Sequence, residues 1–307
     1  MANSLAPSTF RTYRTGINHY SRFCQTFWIP PLPLTQDHME RFCVSLQHRI
    51  AYKSIKVYLC GVQLWSTLAG CGEQIAEMPR LQYVLRGIRR LQGNLFTRPL
   101  RTPVTWPLMQ IICRHIVLTE RPFDRDMLLA AVLLAFFGLM RVSEYASSTA
   151  NQVDPDALSV QDVTISVRHN MVRVVIKKSK TDPFRMGITL RICAISHPLC
   201  PVRAIIRFLR RRGTQPGPLF RYQNGTYLTR QKMRDLLARS LPFLDNVNTH
   251  SFRRGGASAL ADAGVPGHVI QILGRWKSGA YTQYIRYSEQ FLRATTARMV
   301  GTASSYQ

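Results

Sequence analysis

Apolar residues recur every three or four positions through the first ninety residues, which is the spacing of amphipathic helices. Pro7 and Ser8 provide a start signal for the first helix, and Gly70 and Gly93 are suited to end the third and fourth. Residues 1–93 are therefore predicted to form a compact four-helix domain with a basic outer face. The apolar stripes of the four helices are Phe10, Tyr13, Ile17, Tyr20, Cys24 and Phe27; Met39, Phe42, Cys43 and Leu46; Ile55, Tyr58, Leu59, Val62 and Trp65; and Leu81, Val84, Leu85, Ile88 and Leu91.

Helical periodicity stops in residues 93–107, a stretch with three prolines and two arginines but no acidic residue. Proline restricts the backbone and removes a hydrogen-bond donor, so such a stretch is typical of a connection between domains. We predict a linker over residues 94–104, between the helical domain 1–93 and a second domain 105–307.

The second domain combines two periodicities. Helical spacing predicts a helix over 106–117 and a long apolar helix over 126–146. Apolar and polar residues then alternate with a period of two, as in half-buried strands. Turn residues at 169–170 and 182–187 would join these strands into a small antiparallel sheet. The three alternating runs cover residues 163–167, 172–176 and 188–192.

Helical spacing resumes after the third strand and continues to about residue 299. The resulting fold class is mainly α, with a mixed α+β second domain that contains a three-stranded antiparallel sheet. The further predicted helices cover residues 201–212, 230–240, 251–263, 266–273, 279–286 and 289–299.

The chain is strongly basic, because 41 lysines and arginines face 16 acidic residues among 307 residues, a formal net charge of +25. Of the basic residues 34 are arginines, whose planar guanidinium suits bidentate contacts with phosphate. Both predicted domains carry an excess of positive charge. A nucleic acid is the natural partner for such a chain, and a solvated basic surface is the alternative. Hydrophobic residues make up 46% of the chain, which is enough to form packed cores.

No disulfide, metal site, cofactor site or membrane span is predicted. The seven cysteines form no C-x-x-C pair, and most lie in apolar helical patterns, as expected of buried thiols in a reducing compartment. The sequence contains no Gly-rich nucleotide loop and no carboxylate cluster suited to two metals. The most apolar run, residues 127–140, is too short to cross a bilayer and is predicted to be a core helix. The N-terminus lacks the pattern of a secretory signal.

A phosphate-binding pattern occurs in T-H-S-F-R-R-G-G, residues 249–256. His250 and Arg253 are three positions apart at the start of a predicted helix, so they share a face at a helix end that already favours anions. This spacing alone is weak evidence for catalysis. Arg141 follows the buried apolar run, with Glu144 one helical turn later. Arg141 either caps the helix or pairs with Glu144, or else it is directed at a ligand anion.

Four more residues each have two interpretations. Trp276, in I-L-G-R-W-K, is either a core aromatic or part of a site. Tyr281 and Tyr284 lie three positions apart on the next predicted helix, where either can pack or face solvent. Lys180, in K-K-S-K-T-D-P between the second and third strands, is either an ordinary solvated lysine or a reactive one.

The ordered set of arginine, hairpin lysine, H-x-x-R, tryptophan and tyrosine resembles the catalytic signature of the tyrosine recombinases, the lambda-integrase and Cre-like family. The resemblance covers most of the chain. Residues 1–93 resemble the SAM-like core-binding domain of that family, and residues from about 104 onward resemble its catalytic domain. The motif S-K-T-D-P-F-R-M-G and the run 250–286 look closest to recombinases of eukaryotic DIRS, Ngaro and Crypton mobile elements.

The resemblance implies that four residues surround the scissile phosphate and that a fifth supports them. Arg141 and Arg253 would hold its non-bridging oxygens, and His250 and Trp276 would complete the cradle by hydrogen bonding. Glu144 would brace Arg141 or His250 from behind. Guanidinium groups at these positions would stabilise the negative charge of the transition state, as Mg²⁺ does in other phosphoryl-transfer enzymes.

The resemblance also implies the chemistry of the break. Tyr284 would attack phosphorus and become a 3′-phosphotyrosine, and Lys180 would protonate the leaving 5′-oxygen. The covalent intermediate conserves the bond energy, so rejoining needs no ATP. The Tyr-Ile-Arg context of the family favours Tyr284 over Tyr281, although the distance from Trp276 differs by one residue from that of better-known members.

The expected function is that of a site-specific recombinase or integrase, acting on double-stranded DNA without metal, cofactor or small-molecule substrate. A homotetramer on paired DNA sites is expected, because the last helix of relatives often docks on a neighbouring subunit. The corresponding stripe, Phe291, Leu292, Thr295 and Met299, is only partly apolar. The alternatives are a type IB topoisomerase and a catalytically silent DNA-binding protein. The expected location is the nucleus if the source is a eukaryotic mobile element, and otherwise the cytoplasm or nucleoid.

Overall fold

The computed structural model describes residues 5–96, 99, 101–179, 182 and 184–299. The chain divides into two compact units, Met1–Pro99 and Leu100–Gln307. The division between them lies within the stretch 94–104 that we predict as a linker.

The first unit contains the four helices that the apolar stripes predict, arranged around one hydrophobic core. Tyr20, Met39, Ile55 and Leu81 are completely buried in that core, one from each helix. Phe10 and Phe27 belong to the predicted first stripe but are mostly exposed, so the buried stripe is shorter than the pattern suggests. The helices are α1 (Pro7–Thr26), α2 (Gln36–Leu46), α3 (Tyr52–Leu68) and α4 (Pro79–Gln92), with a 3₁₀ turn at Ile75–Glu77 before α4.

The second unit contains eight helices among its described residues and the small sheet that the alternating runs predict. The three strands are antiparallel in the order β1-β2-β3, and Val172 of the central strand pairs with Ile165 on one side and Ile192 on the other. The strands are β1 (Val163–Ser166), β2 (Met171–Ile176) and β3 (Ile188–Cys193). The helices are α5 (Trp106–Thr119), α6 (Pro122–Phe137), α7 (Val142–Tyr145), α8 (Pro201–Arg212), α9 (Arg230–Ser240), α10 (Ser251–Asp262), α11 (Gly267–Gly274) and α12 (Glu289–Met299).

The central element of the second unit is α6, which is buried continuously from Asp126 to Phe136. A helix that is apolar on all sides must be covered on all sides, and α5, α8 and α10 all pack against it. Because its position is set by so many neighbours, α6 gives the residues that follow its C-terminal end a rigid support.

The prediction of one helix over 126–146 is wrong, because the chain leaves the helix after Phe137 and starts a separate one at Val142. Leu139 has a φ of 46°, a left-handed conformation, and Met140 N–H donates a hydrogen bond back to Ala135 O, as in a helix-ending turn. The apolar pattern continues through this turn, because Met140 is buried in the core around α6 and Leu139 is buried in a smaller cluster with Trp276 and Ile285. Hydrophobicity alone therefore gave no sign of the break.

The prediction of a helix over 279–286 is also wrong. A short 3₁₀ helix covers Gly279–Gln283, and the backbone after it is bonded to side chains of α10. Arg286 N–H donates to Ser258 Oγ at 2.8 Å, and Ser288 N–H donates to Asp262 Oδ1 at 3.0 Å. These tertiary hydrogen bonds replace the bonds that would have continued the helix.

The seven cysteines are all free, and four of them, Cys24, Cys43, Cys113 and Cys200, are buried. Within the described residues, no helix combines the length and the apolar character that a bilayer crossing requires.

Close packing at two glycines sets the position of α10 in the second unit. A Cβ on Gly255 would lie 1.8 Å from Val104 O, and a Cβ on Gly256 would lie 2.5 Å from Phe136 O. Any side chain at these positions would push α10 away from α6 and from the segment that contains Val104. The N-terminal end of α10 carries two of the predicted site residues, so these glycines also position the site.

We expect Gly255→Ala to lower the free energy of unfolding by about 3 kcal/mol, because the added methyl group overlaps a backbone oxygen that cannot move alone. The matched control is Gly87→Ala, since Gly87 lies in α4 with nothing within 4 Å of its missing Cβ. There the higher helix propensity of alanine should stabilise the protein by about 1 kcal/mol. Urea unfolding of both variants tests this, and equal midpoints would contradict it.

Candidate active site

The turn between α6 and α7 directs Arg141 and Glu144 toward each other. Arg141 donates from its backbone N–H to Glu144 Oε2 at 2.9 Å and from Nη1 to Glu144 Oε1 at 2.8 Å. The Glu144 side chain is 1% exposed and that of Arg141 is 12% exposed. Of the two sequence interpretations of Arg141, pairing with Glu144 is present, and the remaining exposure leaves its guanidinium accessible to a ligand.

The start of α10 places His250 and Arg253 beside that turn. His250 N–H donates to Asn248 Oδ1 at 2.9 Å, which orders the chain just before the helix. Arg253 is fully buried, and its Nη1 and Nη2 donate to the carbonyl oxygens of Leu139 and Gly274. Arg253 therefore connects α10 with both the α6–α7 turn and the end of α11.

Arg275 is a member of this cluster that the sequence did not identify. It ends α11 in the left-handed conformation, with φ of 58° and ψ of 41°. Its Nη2 donates to Glu144 Oε2 at 2.9 Å, so Glu144 bridges Arg141 and Arg275. Among the described residues no hydrogen bond links Glu144 to His250, the other partner we predicted. The only sequence signal for Arg275 was its place directly after Leu273-Gly274, where the predicted helix ends.

Trp276 and Tyr284 pack on the same arginine. The Arg253 guanidinium carbon lies 4.2 Å from the centre of the Trp276 ring system and 5.8 Å from the centre of the Tyr284 ring. The two rings are 5.0 Å apart, and the guanidinium carbon of Arg254 is 5.5 Å from the Tyr284 ring. The structure thus brings the predicted tryptophan, tyrosine and second arginine together. The Trp276 side chain takes part through contacts of its ring with Arg253 and Tyr284.

The two candidate tyrosines have different surroundings. The Tyr281 hydroxyl lies against the start of α11, since a Cβ on Gly267 would be 2.4 Å from its oxygen. Tyr284 lies among the arginines of α10, as its ring distances to Arg253 and Arg254 show. Tyr284 is therefore the better placed to reach a phosphate held by this cluster.

Several buried N–H donors of the cluster have no acceptor among the described residues: Arg253 Nε, Arg254 Nε and Nη2, and Trp276 Nε1. Buried donors are nearly always paired, so a group of orphaned donors points to a missing acceptor. An anion with several oxygens would satisfy them together, and a phosphodiester has that chemistry.

The charges of the cluster also favour an anion. Burial, followed by the positive charges of Arg141 and Arg275, lowers the pKa of Arg253 to about 9, and the negative charge of Glu144 opposes this shift. One carboxylate thus faces three guanidinium groups. A bound phosphate would reduce this excess of positive charge and favour the charged form of each arginine.

His250 lies in the same positive field. Burial lowers its pKa from 6.5 to about 4, and the charges of Arg101, Arg230, Arg253 and Arg141 contribute in that order. The imidazole is therefore neutral at neutral pH in the free protein. Arg101 and Arg230 are exposed, and they extend the positive surface beyond the residues that the sequence motifs identified.

Lys180, the predicted general acid, lies outside the described residues. Its neighbours in the connection after β2 are engaged in ion pairs, Lys177 with Asp162 at 3.0 Å and Lys178 with Asp156 at 2.5 Å. The role of Lys180 stays a prediction.

The low pKa of His250 predicts a specific loss of stability in acid. Because the folded-state pKa lies below the unfolded value of 6.5, the unfolded chain binds the proton first, and stability is lost as pH falls from 6.5 toward 4. We expect the Tm of the wild-type protein to fall more steeply over this range than that of His250→Gln, whose side chain is neutral throughout. His268→Gln, at an exposed histidine of α11, is the control and should follow the wild-type curve. Parallel curves for wild type and His250→Gln would contradict the prediction.

The chain matches no known family model and no curated protein sequence. Its fold is similar to that of several solved recombinases and integrases. A Tn1549 transposon integrase in complex with transposon right-end DNA has a TM-score of 0.60 at 13% identity, covering 97% of this chain and 95% of that one. The XerH site-specific recombinase bound to a palindromic difH substrate has a TM-score of 0.63 at 16% identity, covering 94% of this chain and 79% of that one.

A lambda integrase dimer bound to a COC′ core site has a TM-score of 0.54 at 13% identity, covering 92% of this chain and 73% of that one. At these identities the comparisons establish the fold, which is mainly helical with a small three-stranded antiparallel sheet. They support the broad resemblance to recombinases and integrases, and the finer likeness to DIRS, Ngaro and Crypton elements stays an expectation.

Proposed function

We propose that this protein is a site-specific DNA recombinase or integrase that cuts and rejoins DNA through a 3′-phosphotyrosine intermediate, without metal or ATP. The observation that carries the proposal is the position of Tyr284 beside Arg253 and Arg254, in a buried cluster where several N–H donors have no acceptor among the described residues. The similarity of fold to proteins described as bound to DNA supports it.

The phosphate would lie between the α6–α7 turn and the start of α10. Arg141 and the unpartnered Nε of Arg253 would donate to its non-bridging oxygens, with neutral His250 as a further donor or acceptor. The carbonyl bonds of Arg253 fix its guanidinium before DNA arrives, so little reorganisation is needed as charge grows in the transition state. These fixed cations are the reason that the proposed reaction needs no metal.

The proposed reaction exchanges one phosphodiester for another. The Tyr284 hydroxyl gives up its proton to water and its oxygen attacks phosphorus. The bond to the 5′-oxygen breaks, and that oxygen takes a proton that we assign to Lys180. The DNA 3′-end is then esterified to the protein. Attack by the 5′-hydroxyl of a second strand reverses these steps and releases Tyr284, so no external energy source is consumed.

The proposed partner is double-stranded DNA in paired sites, held by a homotetramer. None of the residues of α12 is buried within its own chain, and Leu292 and Met299 are 51% and 82% exposed. An amphipathic helix with an exposed apolar side is suited to docking on a neighbouring subunit. The nucleus is the proposed location if the source is a eukaryotic mobile element.

Covalent trapping tests the proposal. Purified protein is incubated in EDTA with DNA nicked beside candidate cleavage sites. After cleavage, the short fragment that carries the 5′-hydroxyl diffuses away, so rejoining is prevented and the adduct accumulates. The products are separated on a denaturing gel. A protein–DNA adduct supports the proposal. Relaxation of supercoiled DNA without sequence preference would indicate a topoisomerase instead. No adduct on DNA that is shown to be bound would indicate a silent DNA-binding protein.

A further inference from the structure

Arg275 has the contacts of a positioning residue for Arg141. Its side chain is 4% exposed, so it is almost entirely withdrawn from solvent. Its Nη2 donates to Glu144 Oε2 at 2.9 Å, and Glu144 Oε1 accepts from Arg141 Nη1 at 2.8 Å. The buried carboxylate of Glu144 is thus shared between the buried Arg275 and the more exposed Arg141.

Arg275 also caps the C-terminal end of α6. Its Nη1 donates to Gly138 O at 3.0 Å and its Nη2 donates to Leu139 O at 3.1 Å. The last carbonyl groups of a helix lack partners within the helix and carry partial negative charge, so a guanidinium at this point stabilises the turn that follows. That turn contains Leu139 in its left-handed conformation and leads directly into Arg141.

The division of Glu144 has an electrostatic consequence for Arg141. Without a positive charge at position 275, the carboxylate would have Arg141 as its only ion-pair partner among the described residues. Carboxylate and guanidinium form strong bidentate pairs, and such a pair would neutralise Arg141 and engage the donors that a phosphate needs. Arg275 prevents this by taking one side of Glu144.

We propose that Arg275 is a positioning residue, which holds Glu144 and the α6–α7 turn so that Arg141 remains available to the scissile phosphate. This inference rests on the proposed function and adds to it a residue that acts through Arg141 without touching DNA. It also explains why a second arginine is buried so close to Arg253, although their charges repel each other.

The test compares a variant that lacks the charge of Arg275 with one that lacks the charges of both Arg275 and Glu144. Arg275→Gln should slow adduct formation about 100-fold in single-turnover assays on nicked DNA, while the Kd for DNA changes by less than about threefold. Adding Glu144→Gln should recover at least about tenfold of the lost rate, because the neutral amide no longer competes for Arg141. A purely structural role would give no recovery, since the second change removes one more native contact.

Three results would overturn the inference. They are an Arg275→Gln rate equal to that of wild type, a double variant as slow as Arg275→Gln, or a large loss of DNA affinity that accounts for the slower rate. If Arg275→Gln does not fold, the rate of adduct formation by the double variant is compared with that of Glu144→Gln alone. The double variant should fold, because removing both charges leaves no unpaired carboxylate. Rates within about tenfold support the inference, and a larger difference overturns it.

The matched control is Arg212→Gln. Arg212 is another buried arginine, whose guanidinium donates to the carbonyl oxygens of Gln215, Pro218 and Leu219 and to none of the site residues described above. Its loss should lower Tm and leave the rate of adduct formation unchanged. Failure of the wild-type protein to form an adduct would count against the proposed function itself, whereas a failure confined to the Arg275 comparisons counts only against this inference.

Discussion

The Tyr284→Phe variant is expected to bind DNA as the wild-type protein does and to form no covalent adduct with it. The substitution removes only the hydroxyl oxygen that would attack phosphorus. The ring contacts with Trp276, at 5.0 Å, and with the guanidinium groups of Arg253 and Arg254 do not depend on that oxygen. Loss of a nucleophile should lower the rate of adduct formation by at least about 10⁴-fold.

Tyr281→Phe is the matched control for this experiment. The Tyr281 hydroxyl lies against Gly267 at the start of α11, so its removal should leave the adduct intact. The measurement is the yield of adduct on nicked DNA in EDTA for wild type and both variants. An adduct that persists in Tyr284→Phe and disappears in Tyr281→Phe would identify Tyr281 as the nucleophile.

Arg253→Lys should reduce the rate of adduct formation by about 10³-fold. Lysine keeps the positive charge but has a single ammonium group, which cannot bond the carbonyl oxygens of Leu139 and Gly274 and also reach a phosphate oxygen. It also loses the flat contact with Trp276, 4.2 Å from the Arg253 guanidinium carbon. The loss should therefore lie in the chemical step more than in DNA affinity.

Single-turnover cleavage rates and binding affinities, measured at one salt concentration, test this prediction. Arg212→Lys is the control, because Arg212 is also buried, at the end of α8, and also donates to carbonyl oxygens, none of which belongs to a site residue. Its cleavage rate should equal that of wild type. A wild-type cleavage rate in Arg253→Lys would show that the guanidinium shape is unimportant and that charge alone suffices.

Elements whose burial repeats with a regular period were predictable from the sequence. The helices α8 and α9 have the bounds that the pattern indicates, and the three strands lie in the three alternating runs. His250 and Arg253 both lie at the N-terminal end of α10, as their spacing of three predicts, and the charge of Arg253 contributes to the low pKa of His250. These are local relations, and one segment of sequence is enough to specify them.

Breaks in those periods were not predictable. The chain leaves α6 at Leu139 although the turn is still apolar, because Met140 is buried in the core of α6 and Leu139 is buried in the neighbouring cluster around Trp276. The segment 279–286 is not a regular helix, because Ser258 and Asp262 of α10 bond its end and the backbone that follows it. In both places the deciding contacts come from elsewhere in the chain.

By itself, the sequence determined a mainly helical fold with a small sheet, a strong positive charge, and a candidate set of arginine, histidine, tryptophan and tyrosine. Only the tertiary structure decided that Arg275 shares Glu144 with Arg141 and that Tyr284, not Tyr281, lies among the arginines. It also showed that several buried donors have no acceptor in the part of the chain that the structure describes. The physical reason is distance along the chain. Arg275 bonds Gly138 across 137 positions, and no pattern within a single segment can specify a contact of that kind.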